Sequence, residues 1–403
     1  MFDLIGIIVG FTLLATLIYL KVDFGKAILI ATAVLLLLSE PTTIGLRWIA
    51  EISGEHDTLS LMAIIVQIAF LGFLYKDSSQ VMRMIEKLKS MAPDRRMVIA
   101  TIPAIFGLMP MPGGALVSAP MIEDEADELG LGGREKTFLN WWWRHIWFTV
   151  YPLSTGLIFA SSLSGVNLYH IALFNLPIFA AQILIGVFLG LKKIEVEKTT
   201  VSFKNPLSLV YDLSPIIAAL SINIILGIPL YLTLFIAICI ILVQNRDKYS
   251  IRSIPGVFKK GFSFDLLLAA YGIMLFKGII ERAESLEPVI VALESQVPLL
   301  LVVIVGAYFI GVLFGHLPGA IGVSFPVLLP LLPVVNVRTV SLMFIFVFMG
   351  YFTSPIHLCI ILTIEYFKIN LKEFYKRMMK PFFLLIAAIL IWLFITGSFF
   401  LFF

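Results

Sequence analysis

The chain has 403 residues, of which 60% are hydrophobic and 14% charged, with a mean hydropathy of +1.02. A soluble domain carries about 25% charge, so a soluble globular class is excluded. The net charge of +3 is too small to argue for a nucleic-acid partner, and the two cysteines, Cys239 and Cys359, lie in apolar runs that suggest neither a disulfide framework nor a thiolate metal site.

Apolar runs of about 20 residues are long enough to cross a bilayer. The first, 2–20, reads as a permanent span, because Met1-Phe2-Asp3 has no basic n-region and no small-residue cleavage site follows. Further spans are predicted at 26–39, 58–75, 137–165, 169–190, 209–226, 229–243, 263–280, 339–366 and 381–402. Amphipathic stretches fall at 78–90 and 285–296. Two more apolar segments, 97–129 and 297–335, are interrupted near their middles by Pro and Gly.

Charge placement decides whether those two segments cross or turn back. If both turn back, the loops 21–26, 76–96, 130–136, 191–208, 244–262 and 367–380 share one side and hold 24 of the 29 Lys and Arg residues. That partition is the positive-inside pattern, so the basic side is cytoplasmic and both termini fall outside. Letting either segment cross once would invert every later loop. Two crossings of the first would bury Glu123, Asp124, Glu125, Asp127 and Glu128 in lipid, at high cost. Re-entrant hairpins are the economical reading.

The halves 1–190 and 209–403, joined by a cytoplasmic linker at 191–208, resemble each other. Pro112-Gly113-Gly114-Ala115-Leu116-Val117-Ser118-Ala119-Pro120 aligns with Pro318-Gly319-Ala320-Ile321-Gly322-Val323-Ser324-Phe325-Pro326, with five of nine positions identical. Each hairpin precedes a helix expected to break at Pro152 or Pro355, 40 residues on in one half and 37 in the other. The first hairpin enters from the cytoplasm and the second from outside. The expected fold is an all-α polytopic membrane protein of two inverted repeats. Each repeat has a re-entrant hairpin and a broken transmembrane helix (137–165 and 339–366).

Irregular backbone survives inside a bilayer only where protein or a water-filled cavity surrounds it. Four such breaks imply a site, because helix N-termini attract anions and carbonyl ends suit Na⁺. Gly113, Gly114 and Gly319 are expected to permit tight turns, and Pro112 and Pro318 to end each hairpin's first arm. Ser118 and Ser324, near the start of each second arm, can cap or face a solute. Ser154, Thr155, Thr353 and Ser354 offer oxygen ligands beside Pro152 and Pro355. His316 and His357 flank the second hairpin tip and the second break, where either could touch ligand or carry a coupling proton. Each could equally be hydrogen-bonded within the bundle. Arg144 and His145 lie within the fourth span; Arg144 could pair with an acidic solute, or with Glu123–Asp124 in an ion pair that holds the first hairpin. Trp141, Trp142, Trp143 and Trp147 are expected to form an interfacial aromatic belt.

The twice-occurring Pro-Gly-x-x-x-Val-Ser-x-Pro hairpin and the broken helices resemble the ion-transporter superfamily, which includes gluconate permeases and divalent-anion/sodium symporters. Within it the chain looks most like an uncharacterised prokaryotic membrane family. The resemblance implies an elevator-type carrier, usually a homodimer, in a prokaryotic plasma membrane. The symporters carry Ser-Asn-Thr at their tips, whereas Gly113-Gly114-Ala115 and Gly319-Ala320-Ile321 look more like the gluconate-permease branch. The function expected is ion-coupled transport of a small, anionic solute of carboxylate or sugar-acid type. Na⁺ or H⁺ would couple it, with Na⁺ at the hairpin tips and helix breaks and no other metal or cofactor. The alternatives are an intramembrane enzyme acting on a lipid or peptide, which has no His-Glu-x-x-His or Gly-x-Ser-x-Gly motif to support it, and an ion channel.

Overall fold

The computed structural model describes residues 2–39, 42–109, 114–192, 194–195, 206–282 and 298–402. Among them the chain is all helix and turn. The first half runs α1 (Phe2–Tyr19), α2 (Phe24–Ser39), α3 (Thr42–Gly54), α4 (His56–Asp77), α5 (Gln80–Met91), α6 (Arg95–Leu108), α7 (Gly114–Glu128), α8 (Gly133–Arg144), α9 (Thr155–Ser164), α10 (Leu168–Phe174) and α11 (Leu176–Gly186). The second runs α12 (Pro206–Leu226), α13 (Leu230–Gln244), α14 (Ile254–Gly261), α15 (Phe264–Arg282), α16 (Leu299–Phe314), α17 (Leu317–Leu328), α18 (Val337–Thr353), α19 (Leu358–Tyr366) and α20 (Leu371–Ile395).

By length and composition, His56–Asp77, Leu207–Leu226, Val337–Tyr366 and Leu371–Ile395 can each cross a membrane, and two bent helix pairs raise the number to six. Six shorter apolar helices add to these. Exposed apolar residues line their outer faces, as Leu301, Val305, Phe309 and Leu313 do at four-residue spacing on α16. Such a stripe is a liability in water and ordinary against hydrocarbon. The chain is a multi-pass helical membrane protein.

Its interior is built from the segments that Pro and Gly interrupt. In their most apolar stretches, 72% of Val337–Tyr366 is buried, against 22% of Leu207–Leu226 and 28% of Leu371–Ile395. Every residue from Thr339 to Thr353 is buried, as is every residue from Lys136 to Arg144. These helices meet protein on all sides, while α12 and α20 lie at the periphery.

Local chemistry sets the ends. Asp94 caps α6, its carboxylate accepting from the Arg96 and Met97 amides at 2.8 and 3.2 Å. Asn336 and Asn370 open α18 and α20 with capping boxes closed by Thr339 and Glu373. The turn between α16 and α17 is two residues long. Gly315 takes a left-handed φ of 57°, and His316 caps α17 by accepting from the Gly319 amide at 3.3 Å.

Packing within the two halves follows one scheme. Each first hairpin arm crosses the following broken helix through a glycine that lets the backbones touch. A Cβ on Gly107 of α6 would come within 2.0 Å of the Arg144 carbonyl, and one on Gly311 of α16 within 2.2 Å of the Val347 carbonyl. Arg144 stands eight residues before Pro152, and Val347 eight before Pro355. Each second arm also packs on the far segment of the other half's broken helix, α7 on α19 and α17 on α9.

Several expectations are corrected. Pro318 does not end the first arm: that arm stops at Phe314, and Pro318 is the second residue of α17, where its missing N–H costs nothing. The last span starts at Leu371 rather than 381, and α3 fills a stretch expected to be loop. The first break is wide, with a 3₁₀ turn at Ile146–Thr149 and turn residues up to Ser154. Three of the four tryptophans do not form an interfacial belt, while Trp147 is half-buried. Trp141, Trp142 and Trp143 are buried, and Trp141 stacks on Phe352 with ring centroids 3.9 Å apart. The amphipathic stretch 285–296 lies outside the described residues.

Candidate functional site at the helix breaks

Pro112 and Gly113 lie outside the described residues, so the first hairpin is seen from Gly114 onward. The Arg144 guanidinium sits against Gly114: a Cβ there would come within 2.5 Å of both terminal nitrogens. Arg144 Nη1 also donates to the Phe106 carbonyl at 3.0 Å, so this buried cation joins α8 to both arms of the first hairpin. Glu123 is engaged elsewhere, accepting a hydrogen bond from the Tyr366 hydroxyl of α19.

Ser118 is buried and committed. Its hydroxyl bonds the Asn140 side chain at 2.7 Å, and Asn140 reaches on to the Ala115 carbonyl at 3.1 Å and the Thr363 hydroxyl at 3.3 Å. This network ties α7, α8 and α19 together. Ser354 donates to the Val312 carbonyl at 2.6 Å, fixing the second break to α16. Thr353 donates to the Met349 carbonyl at 2.9 Å and lies 3.0 Å from the Tyr308 hydroxyl. Pro355 is exposed at the break itself. These hydroxyls mainly hold backbone in place.

Other hydroxyls remain uncommitted. Ser154 is the N-cap of α9 in an extended conformation yet makes no side-chain cap hydrogen bond, and Thr155 follows as the first helical residue beyond the Pro152 turn. Ser324 is fully buried, and its hydroxyl has no partner among the described residues. Leu317, Ile321 and Ser324 share one face of α17. The first two press on Gly156, where a Cβ would meet Leu317 at 2.7 Å and Ile321 at 3.2 Å. The starting turns of α9 and α17 therefore abut, bringing together two N-termini whose free amides and dipoles favour an anion. Gly319 keeps the opposite side of that turn slim, since a Cβ would come 3.0 Å from the Phe24 ring.

A second cluster joins the two broken helices. His145, fully buried at the end of α8, lies 2.7 Å by Nδ1 from the Trp141 carbonyl and 3.3 Å by Nε2 from the Tyr351 hydroxyl. His357, the buried N-cap of α19, packs edge-on to His145 at 4.8 Å between centroids and against Tyr351 at 4.1 Å. His316, by contrast, caps α17 at the exposed hairpin tip beside Phe24.

A family profile described as a protein of unknown function (DUF401) matches residues 4–397. The chain belongs to that family. A search of curated proteins found no match.

Several members of this DUF401 site escaped sequence reasoning. Asn140, Tyr351 and Cys359 sit inside apolar or aromatic runs with nothing local to mark them. Near the first break, the Thr149 hydroxyl and the Asn175 side-chain oxygen are buried without partners among the described residues, while Asn175 Nδ2 donates to the Thr149 carbonyl at 3.1 Å. Buried oxygens without donors are the detectable sign of such a site, but they appear only once the fold is known.

Proposed function

We propose that this DUF401 chain is an ion-coupled secondary transporter. It moves a small anion of carboxylate or sugar-acid type across a prokaryotic plasma membrane, with both termini outside. The observation that carries this reading is the contact of the α9 and α17 starts at Gly156 and Leu317, with the uncommitted Ser154 hydroxyl at the beginning of α9 and the buried, unpartnered Ser324 hydroxyl two turns along the same face of α17. Two helix starts in contact attract negative charge, and interrupted helices are the usual way transporters build such a cradle.

The organisation behind it is two inverted repeats, and the reciprocal packing of α7 on α19 and α17 on α9 supports that reading. So do the paired glycines at the Arg144 and Val347 carbonyls. Resemblance to the ion-transporter superfamily extends the proposal to an elevator mechanism in a homodimer. The uncommitted oxygens of Thr149 and Asn175 favour Na⁺ as the coupling ion, because oxygen donors at an unwound segment suit it.

Reconstitution into proteoliposomes tests the reading. A carrier gives saturable, exchange-competent uptake of one anion class under an imposed Na⁺ or H⁺ gradient. Absence of flux under every gradient, with the fold intact, would sink the proposal, and single-channel currents would replace it with a channel.

A further inference from the structure

Cys359 offers nothing in the sequence, yet the fold delivers it to two histidines. Donor atoms of His145, His357 and Cys359 all lie within 4.8 Å of one another. They come from different parts of the chain: His145 ends the first segment of one broken helix, and the other two begin the second segment of the other.

The histidines stand as ligands do. The Trp141 carbonyl can only accept, so Nδ1 of His145 carries the proton and Nε2 holds the lone pair, which accepts from the Tyr351 hydroxyl at 3.3 Å until a metal displaces that bond. This is the outer-shell arrangement that fixes the tautomer of a metal-binding imidazole. His357 is 1% exposed, and neither ring nitrogen makes a hydrogen bond of ordinary geometry, although the Tyr351 main chain lies beside it. A buried imidazole with so little hydrogen bonding among the described residues has a lone pair to offer a ligand. Cys359 is half-buried, and its neighbours Ile356 and Leu358 are exposed.

We propose that His145, His357 and Cys359 bind one soft metal ion, Cu⁺ or Zn²⁺, which staples the two broken helices together at their breaks. Imidazole and thiolate select such ions over Na⁺, Mg²⁺ or Ca²⁺. Metal–nitrogen bonds of about 2.0–2.1 Å and metal–sulfur bonds of about 2.3 Å place ligand atoms roughly 3.5 Å apart, so the three donors close by about 1 Å on binding. Cys359 gives up its thiol proton to solvent as the metal–sulfur bond forms. Arg144 brings positive charge into the same buried region, so the monovalent ion, which one thiolate neutralises, suits the site better than the divalent one.

The test uses the full-length protein in detergent and needs no transport assay, so its outcome is separate from that of the anion proposal. Protein is equilibrated with Zn²⁺, or with Cu⁺ under reducing conditions, each against a competing chelator, and metal per chain is measured. One ion is expected to be retained in at least one arm. Cys359→Ser and His357→Gln should each weaken retention by more than about 100-fold, beyond the cost of losing an outer-shell partner. Cys239→Ser should retain metal as the parent does. Alkylation of the parent protein supplies a readout that no misfolded variant can confuse: bound metal should slow modification of Cys359 and leave the exposed Cys239 unchanged. No retained metal in either arm, or equal modification of Cys359 with and without metal, would overturn the proposal.

Discussion

Gly107 leaves no room for a side chain, because any Cβ meets the Arg144 carbonyl, which is main chain and cannot swing aside. Gly107→Ala is therefore expected to destabilise the protein by about 1–3 kcal/mol or more through overpacking. Gly54→Ala, where nothing lies within 4 Å, should leave the unfolding midpoint in detergent unchanged. Equal midpoints for the two variants would mean the hairpin does not dock through that glycine. Asp94 makes a second residue-scale case. Replacing this cap by Ala should cost about 1 kcal/mol and speed exchange at the Arg96 and Met97 amides. Arg96 bonds the Asp94 carboxylate and holds it below the ordinary aspartate range. A lowered folded value means this contribution is complete above about pH 3.9 and is lost as pH falls through the folded value. The acid limb of a stability–pH curve should therefore flatten in Asp94→Ala.

At this scale the sequence was a partial guide. Gly114, Ser324 and His357 were all visible beside Pro-Gly breaks, since breakers announce irregular backbone. The roles of Ser118 and Ser354 were not, because whether a hydroxyl faces a solute or a neighbouring carbonyl depends on packing from the other half. Cys359 and Asn140 were invisible for the same reason: each is joined to a partner in the other half, Cys359 to His145 and Asn140 to Thr363.

Helix α5 shows how a surface element is fixed to the membrane bundle. Asp212, 1% exposed on α12, receives Lys87 of α5 at 2.5 Å, and its main-chain carbonyl accepts from Tyr75 and Gln80 at 3.0 and 2.9 Å. A buried carboxylate left alone costs about 3–5 kcal/mol, and without Lys87 the nearest cation to Asp212 is Arg83 at 3.9 Å. Lys87→Met is thus expected to be destabilising by less than that, while Lys87→Met combined with Asp212→Leu should recover much of the loss. A double-mutant cycle on thermal midpoints measures this, and simple additivity would contradict it. Elements in the chain's apolar stretches were legible from hydropathy alone. The helix α3 was not, because Arg47, Glu51 and Glu55 gave its segment the look of a loop, and Arg47 and Glu51 pair across one turn of it. The break at Pro152 is expected from the sequence but its width is not, since a single proline does not reveal how many residues unwind around it.

Over the whole molecule, the buried centre is made of the interrupted segments and the rim of the uninterrupted ones. That inverts the usual economy of a helical bundle, in which breaks sit at the edges where solvent can satisfy them. Interruptions among these buried helices stand if their free ends serve a ligand. The long apolar runs and their Pro-Gly interruptions made the multi-pass helical class readable in outline, because hydropathy is a long-range pattern that survives in one sequence. What the outline could not supply is which helix starts meet. That is set by Gly156 against Leu317, a contact between halves.

The most direct measurement is therefore thermal-shift stabilisation of the purified protein by sugar acids, mono- and dicarboxylates and inorganic oxyanions, each with and without Na⁺. The account predicts stabilisation by one anion class, strengthened by Na⁺ in a way that Asn175→Ala abolishes. Ser324→Ala should lose the anion's effect while keeping its basal midpoint, since that hydroxyl makes no bond within the described residues. Stabilisation by a cation or a neutral solute, with none by any anion, would contradict it.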